Sequence, residues 1–125
     1  MMVKATTGPH QLIASDHVVG MAVRRPNGAV LGHIEWLMID KASGKVLNAV
    51  LSVGGFLGSR TNLIPLPWGR LRYNPKHDSY ELDIEDDELR RAPSFRADED
   101  FDWSDRTQEA ALHRFHGVAP YWEGA

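Results

Sequence analysis

Between Val18 and Ile84 the chain runs as short segments separated by turn clusters, and no amphipathic stretch of helical length lies between any two of them. That one feature removes most folds. Neighbouring parallel strands need a crossover of about a dozen residues or more, usually a helix. Here the connections are Pro26-Asn27-Gly28, Lys41-Ala42-Ser43-Gly44-Lys45, the glycine-rich Gly54-Gly55-Phe56-Leu57-Gly58-Ser59, Pro67-Trp68-Gly69 and Asn74-Pro75-Lys76-His77-Asp78. Asn, Gly and Pro set the backbone angles that tight turns require. About five or six strands at this spacing read as an antiparallel barrel or sandwich.

The strand faces follow from the period of two. Leu47, Ala49, Leu51 and Val53 share one face and are expected to be buried, joined by Ile34, Trp36, Tyr80 and Leu82. Val46 and Val50 then point the other way, and Leu37 and Ile39 add apolar area beside outward Glu35. Two helical pieces follow the strands. Glu85 to Arg91 has acids first and arginines last, which suits the helix dipole, and Pro93 stops it. Ser104 is positioned to cap a helix running to about His116, with Ala111, Leu112 and Phe115 as its apolar stripe.

The chain has 125 residues and a net charge of −3, so one domain is the expectation and a strongly basic nucleic-acid binder is not. No cysteine is present, which excludes disulfides, thiol catalysis and zinc–thiolate or iron–sulfur sites. The longest uncharged stretch, Val46 to Ser59, is too short to span a bilayer, and a cytoplasmic protein with no transmembrane segment is expected. Charge divides the chain: residues 1–83 carry 9 Lys/Arg against 6 Asp/Glu, and residues 84–125 carry 5 against 11.

The series Ala29-Val30-Leu31-Gly32-His33-Ile34, then Met38-Ile39-Asp40 before a Ser43-Gly44 turn, opens a recognisable pattern. Val46 to Val53, Gly54-Gly55-Phe56-Leu57-Gly58, Ile64-Pro65-Leu66-Pro67-Trp68, Asp86 to Leu89 and Arg91-Ala92-Pro93 continue it. Together these resemble the PRC-barrel domain, found in the photosynthetic reaction-centre H subunit and in a ribosome maturation factor. The resemblance implies an all-β fold: a small, strongly bent antiparallel β-barrel, often self-associating, that binds proteins and does not catalyse. Neither the H subunit's membrane helix nor the maturation factor's RNA-binding-type domain is expected here, so neither specific role transfers. The domain is expected over 15–95, after a flexible leader at 1–14. An acidic, aromatic-rich extension with one helix, of the kind seen in stand-alone bacterial members, follows at 96–125.

Candidate chemistry is sparse. The glycine loop lacks the Gly-Lys-Ser/Thr ending and the following helix of a phosphate loop. Asp98, Asp100, Asp102 and Glu109 match calcium-loop spacing, but Trp103 replaces the turn glycine and Arg106 sits where an oxygen ligand is wanted. His113 and His116 share a helix face, as a zinc pair would, yet read as solvated. His33 beside Glu35 reads as a surface pair. No arrangement specifies a triad, and neither catalysis nor a cofactor is expected.

The expected function is therefore a non-catalytic protein-interaction or scaffold module, homodimeric or bound to an unidentified protein partner, with no nucleic-acid partner. Its candidate contacts are Leu37, Ile39, Val46, Val50, Phe56, Leu57, Trp103 and Trp122. The alternative is a small-ligand or metal-ion-binding regulatory protein using the barrel mouth or the acidic tail. Residues 98–125 hold Phe101, Trp103, Phe115, Tyr121 and Trp122, too many aromatics for a solvated tail, so this segment is expected to dock.

Overall fold

The computed structural model describes residues 12–55 and 58–119. A single turn of helix, α1 (Ser15–Val18), leads into seven strands: β1 (Ala22–Arg24), β2 (Val30–Ile39), β3 (Val46–Gly55), β4 (Gly58–Pro67), β5 (Arg72–Asn74), β6 (Ser79–Glu81) and β7 (Phe95–Arg96). A 3-10 turn (Trp68–Arg70) follows β4, α2 (Asp86–Arg91) precedes β7, and α3 (Arg106–His116) comes last. The strands form one sheet in the order β5-β6-β1-β2-β3-β4-β7. All pairings are antiparallel except β1 with β6, where Val23 lies beside Tyr80. β5 and β7 are its two ends, so the sheet does not close on itself, and one parallel pair stands in a sheet otherwise antiparallel, in line with the mostly antiparallel expectation.

The long hairpin β2–β3–β4 is the frame. Its first turn forms because Asp40 organises it: the Asp40 N–H donates to the Lys45 carbonyl at 2.8 Å, and the Ser43 N–H donates to the Asp40 carboxylate at 2.9 Å. These bonds hold the Asp40 carboxyl below its ordinary range, the Ser43 contacts being the main cause. Gly44, at φ 78, takes the left-handed position that an L side chain resists.

The two faces of this hairpin bury two separate clusters. The larger one joins Val23, Ile34, Ala49, Leu51, Val53, Ile64, Leu66, Tyr80, Leu82 and Leu89. Ala49, Leu51, Val53, Ile34, Tyr80 and Leu82 are buried there as the alternation requires. Trp36 is not. The β2–β3 register shifts between Ile34 and Trp36, where Ile34 sits opposite Leu51 but Trp36 sits opposite Val50. The extra residue reverses the alternation. Leu37 thus turns toward the main core, while Trp36 turns to the other face and stays 37% exposed. Leu47 is only half-buried, beside a second register shift between Met38 and Ile39.

The second cluster is Val50, Leu63 and Phe95, with Phe101 and Trp103 packed on it. Val50 was expected to face outward; it is fully buried because the chain returns as β7 and lays its aromatics across this face. Phe95 stacks obliquely on Trp36 at 6.4 Å and on Phe101 at 5.7 Å, and Phe101 on Trp103 at 4.6 Å. Phe101 and Trp103 of the C-terminal segment therefore dock on the sheet of their own chain, while Tyr121 and Trp122 lie outside the described residues.

The helix α3 begins one residue later than Ser104 would dictate. Asp105 is its cap, its carboxylate accepting from the Thr107 N–H at 2.9 Å and the Gln108 N–H at 3.3 Å. Gly117, at φ 70, ends it in the left-handed conformation, and the Val118 N–H closes back onto the His113 carbonyl.

Candidate interaction surface

β2 is much longer than the strand beside it. β1 pairs with β2 only through Val30, Gly32 and His33, and the Gly20 and Met21 backbones then reach Ile34. Beyond Ile34, from Trp36 to Ile39, no strand among the described residues pairs with β2 on the side away from β3. Unpaired strand edges are templates for another strand. Two large apolar side chains, Trp36 and Ile39, stand exposed along this stretch, Ile39 by 51%. Charge flanks it at both ends. The Glu35 carboxylate pairs with His33 at 3.0 Å on the surface, and exposed Lys41 follows Ile39.

The sequence-based contact residues separate on this structure. Ile39 is exposed and Val46 is half-buried. Leu37, Val50 and Trp103 pack inside the chain: Leu37 on the main core, the other two in the aromatic-covered cluster. Phe56, Leu57 and Trp122 lie outside the described residues.

A second group of side chains was not visible in the sequence as a group. Glu109, Leu112, His113 and His116 form the buried face of α3. The histidines read as solvated are thus buried, and Ala111, read as part of the apolar stripe, is exposed. Arg70, in the 3-10 turn, is the hub beneath this face. One guanidinium nitrogen donates to His116 Nδ1 at 3.1 Å; the other donates to the Asp83 carbonyl at 2.6 Å and to the Glu88 carboxylate at 3.2 Å. His113 Nδ1 donates to the Val118 carbonyl at 3.2 Å, tying down the end of the helix. Burial lowers the pKa of His113 and takes that of His116 down to about 4, the Arg70 cation adding to the second effect. Burial raises the pKa of Glu109, with Arg106 opposing. Spacing of 109, 113 and 116 puts these three on one helix face, a signal present in the sequence but masked by their polarity.

Glu109 therefore lies under α3, away from the role of a last calcium ligand, and the Asp102 carboxylate is engaged by Ser104. Among the described residues no group of three His, Asp or Glu side chains is arranged to hold a metal ion. Between α2 and α3 is an open cleft of about 460 Å³ lined by Glu85, Asp87, Glu88, Arg91 and Phe115. No helix among the described residues is long and apolar enough to cross a membrane.

A family model for the PRC-barrel domain matches residues 10–89. The chain belongs to the PRC-barrel family. The match takes in α1 to β6 and most of α2, and ends before β7, so the aromatic cover and α3 lie C-terminal to the PRC-barrel match. No curated protein matches the chain.

Proposed function

We propose that this PRC-barrel chain is a non-catalytic interaction module that self-associates by pairing the free stretch of β2, Trp36 to Ile39, with the same stretch of a second copy. The observation that carries this reading is the long β2 edge with Trp36 and Ile39 exposed along it. A two-fold antiparallel arrangement makes one patch meet itself. It also sets the Glu35 end of one strand beside the Ile39–Lys41 end of the other, opposite charges at both ends of the contact. Aromatic and aliphatic anchors with a charged rim are what a specific contact needs. A cysteine-free composition fits a reducing compartment, and we assign the module to the cytoplasm on that ground.

Charge reversal tests the pairing. Glu35→Lys and Lys41→Glu should each weaken self-association measured by sedimentation equilibrium, and the double variant should recover it. Two single variants that associate like wild type, or a double variant weaker than both, would refute edge pairing in this orientation.

A further inference from the structure

We propose that α3 is an acid-released latch: the neutral imidazole of His116, accepting a hydrogen bond from Arg70, holds the helix against the 3-10 turn, and a proton on that imidazole frees it. The geometry carries the argument. The guanidinium is a donor only, so the 3.1 Å contact requires an unprotonated His116 Nδ1. A proton placed there turns the bond into two donors facing each other, on two cations.

Among the described residues, nothing nearby offsets that. His116 is 5% exposed, and its Nε2 is buried without bonding to any described residue, so no carboxylate is placed to stabilise an imidazolium. Among the described residues, the charged and titratable groups around the ring come from the 3-10 turn, α2 and α3. Arg70 comes from the 3-10 turn. Glu88 comes from α2, but its carboxylate is engaged with the same guanidinium. His113 and Glu109 come from α3 itself, and His113 adds a further unfavourable charge when protonated. The Phe115 ring meets the imidazole edge-on at 4.9 Å and supplies no charge.

Among the described residues, the latch holds the end of α3 together with Phe115, which packs on the main core. Val118 lies against the 3-10 turn at Gly69, and Leu112 is the only fully buried apolar side chain on the helix. An eleven-residue helix of this polarity does not persist alone in water. Release therefore bares Leu112 and Phe115 and uncovers the part of the sheet on which α3 packs. This inference is independent of how β2 pairs.

Amide exchange read residue by residue by NMR tests the latch. A pKa moved from 6.5 to about 4 makes docking about 60-fold weaker at about pH 4.5 than at neutral pH. Protection of the α3 amides should fall by about that factor, while the β2–β3 amides stay protected. His116→Asn, which keeps an acceptor toward Arg70 and does not titrate, should hold α3 docked across the same range. A His116 ring that titrates near 6.5, or an α3 that releases equally in wild type and His116→Asn, overturns the proposal. If His116→Asn does not fold, Arg70→Gln decides: it keeps a donor but removes the cation, so the docked His116 pKa moves back toward 6.5 and the acid-induced loss of α3 protection should be smaller than in wild type. An acid-induced loss as large as that of wild type in this variant also overturns it.

Discussion

Truncation of Trp103 to alanine measures how firmly the aromatic cover holds the second face of the sheet. Trp103 is half-buried on the Val50, Leu63 and Phe95 cluster and lies 4.6 Å from the Phe101 ring. A fully buried large aromatic removes about 150–250 Å² from water, so the half-buried ring removes about 100 Å². At about 25 cal/mol per Å² that is about 2.5 kcal/mol. The aromatic contact adds about 0.5–1 kcal/mol, offset in part by relaxation of the exposed side. The expected loss is about 2–3 kcal/mol. Asp98, by contrast, pairs with Arg96 on the surface, with both side chains more than half exposed. Such pairs contribute at most about 1 kcal/mol and often nothing. Equilibrium urea unfolding is the assay. With a slope of about 1.5 kcal/mol/M, Trp103→Ala should lower the midpoint by about 1.5 M, and Asp98→Asn by less than about 0.5 M. Equal shifts, or a Trp103→Ala midpoint within about 0.3 M of wild type, would show that the cover contributes little and that the docking argument is mistaken.

Other perturbations have defined outcomes. A Cβ on Gly32 would lie 2.0 Å from the Ser52 carbonyl oxygen, backbone against backbone, so Gly32→Ala must part β2 from β3; a loss of about 3 kcal/mol or more is expected in the same urea assay. Asp105→Ala removes the α3 cap and should cost about 1 kcal/mol, read as loss of far-UV helicity and a lower melting temperature. Stability should also depend on pH. His116 folds neutral with its pKa lowered from 6.5 to about 4, so the unfolded chain takes up a proton that the folded chain refuses. This contribution, about 3 kcal/mol, is complete above about pH 6.5 and is lost as pH falls toward 4. Lowered His113 works in the same direction, whereas raised Glu109 is stabilised by protonation and trims the acid loss. Urea midpoints from about pH 7 to pH 4 that stay level would contradict the burial assigned to His116.

The sheet was legible because turn residues and a period of two report directly on strands and on one buried face. Ala49, Leu51 and Val53 followed from alternation alone. Alternation fails where a bulge inserts one residue, and nothing in Ile34-Glu35-Trp36 marks one; the sides taken by Trp36 and Leu37 depend on how β2 fits β3. Val50 was misread for another reason. A single strand shows which residues share a face but not whether a later segment covers it. The aromatics at 101 and 103 announced docking, and only the three-dimensional path of β7 placed them over Val50. The histidines of α3 carry no apolar signal of burial, because the buried face of this helix is largely polar. Glu109, His113 and His116 lie at helical spacing, yet their burial depends on Arg70, a residue distant in sequence that a periodicity argument cannot bring near.

The mass of the protein in solution tests self-association through β2 most directly. Light scattering across micromolar concentrations should give twice the 14.0 kDa chain mass for the wild type. Ile39→Lys places a charge on a half-exposed position within the contact, outside the buried core, and should return the mass to 14.0 kDa while leaving the melting temperature of the monomer little changed. A wild-type mass of 14.0 kDa throughout, or an Ile39→Lys variant that remains twice that mass, would contradict the account.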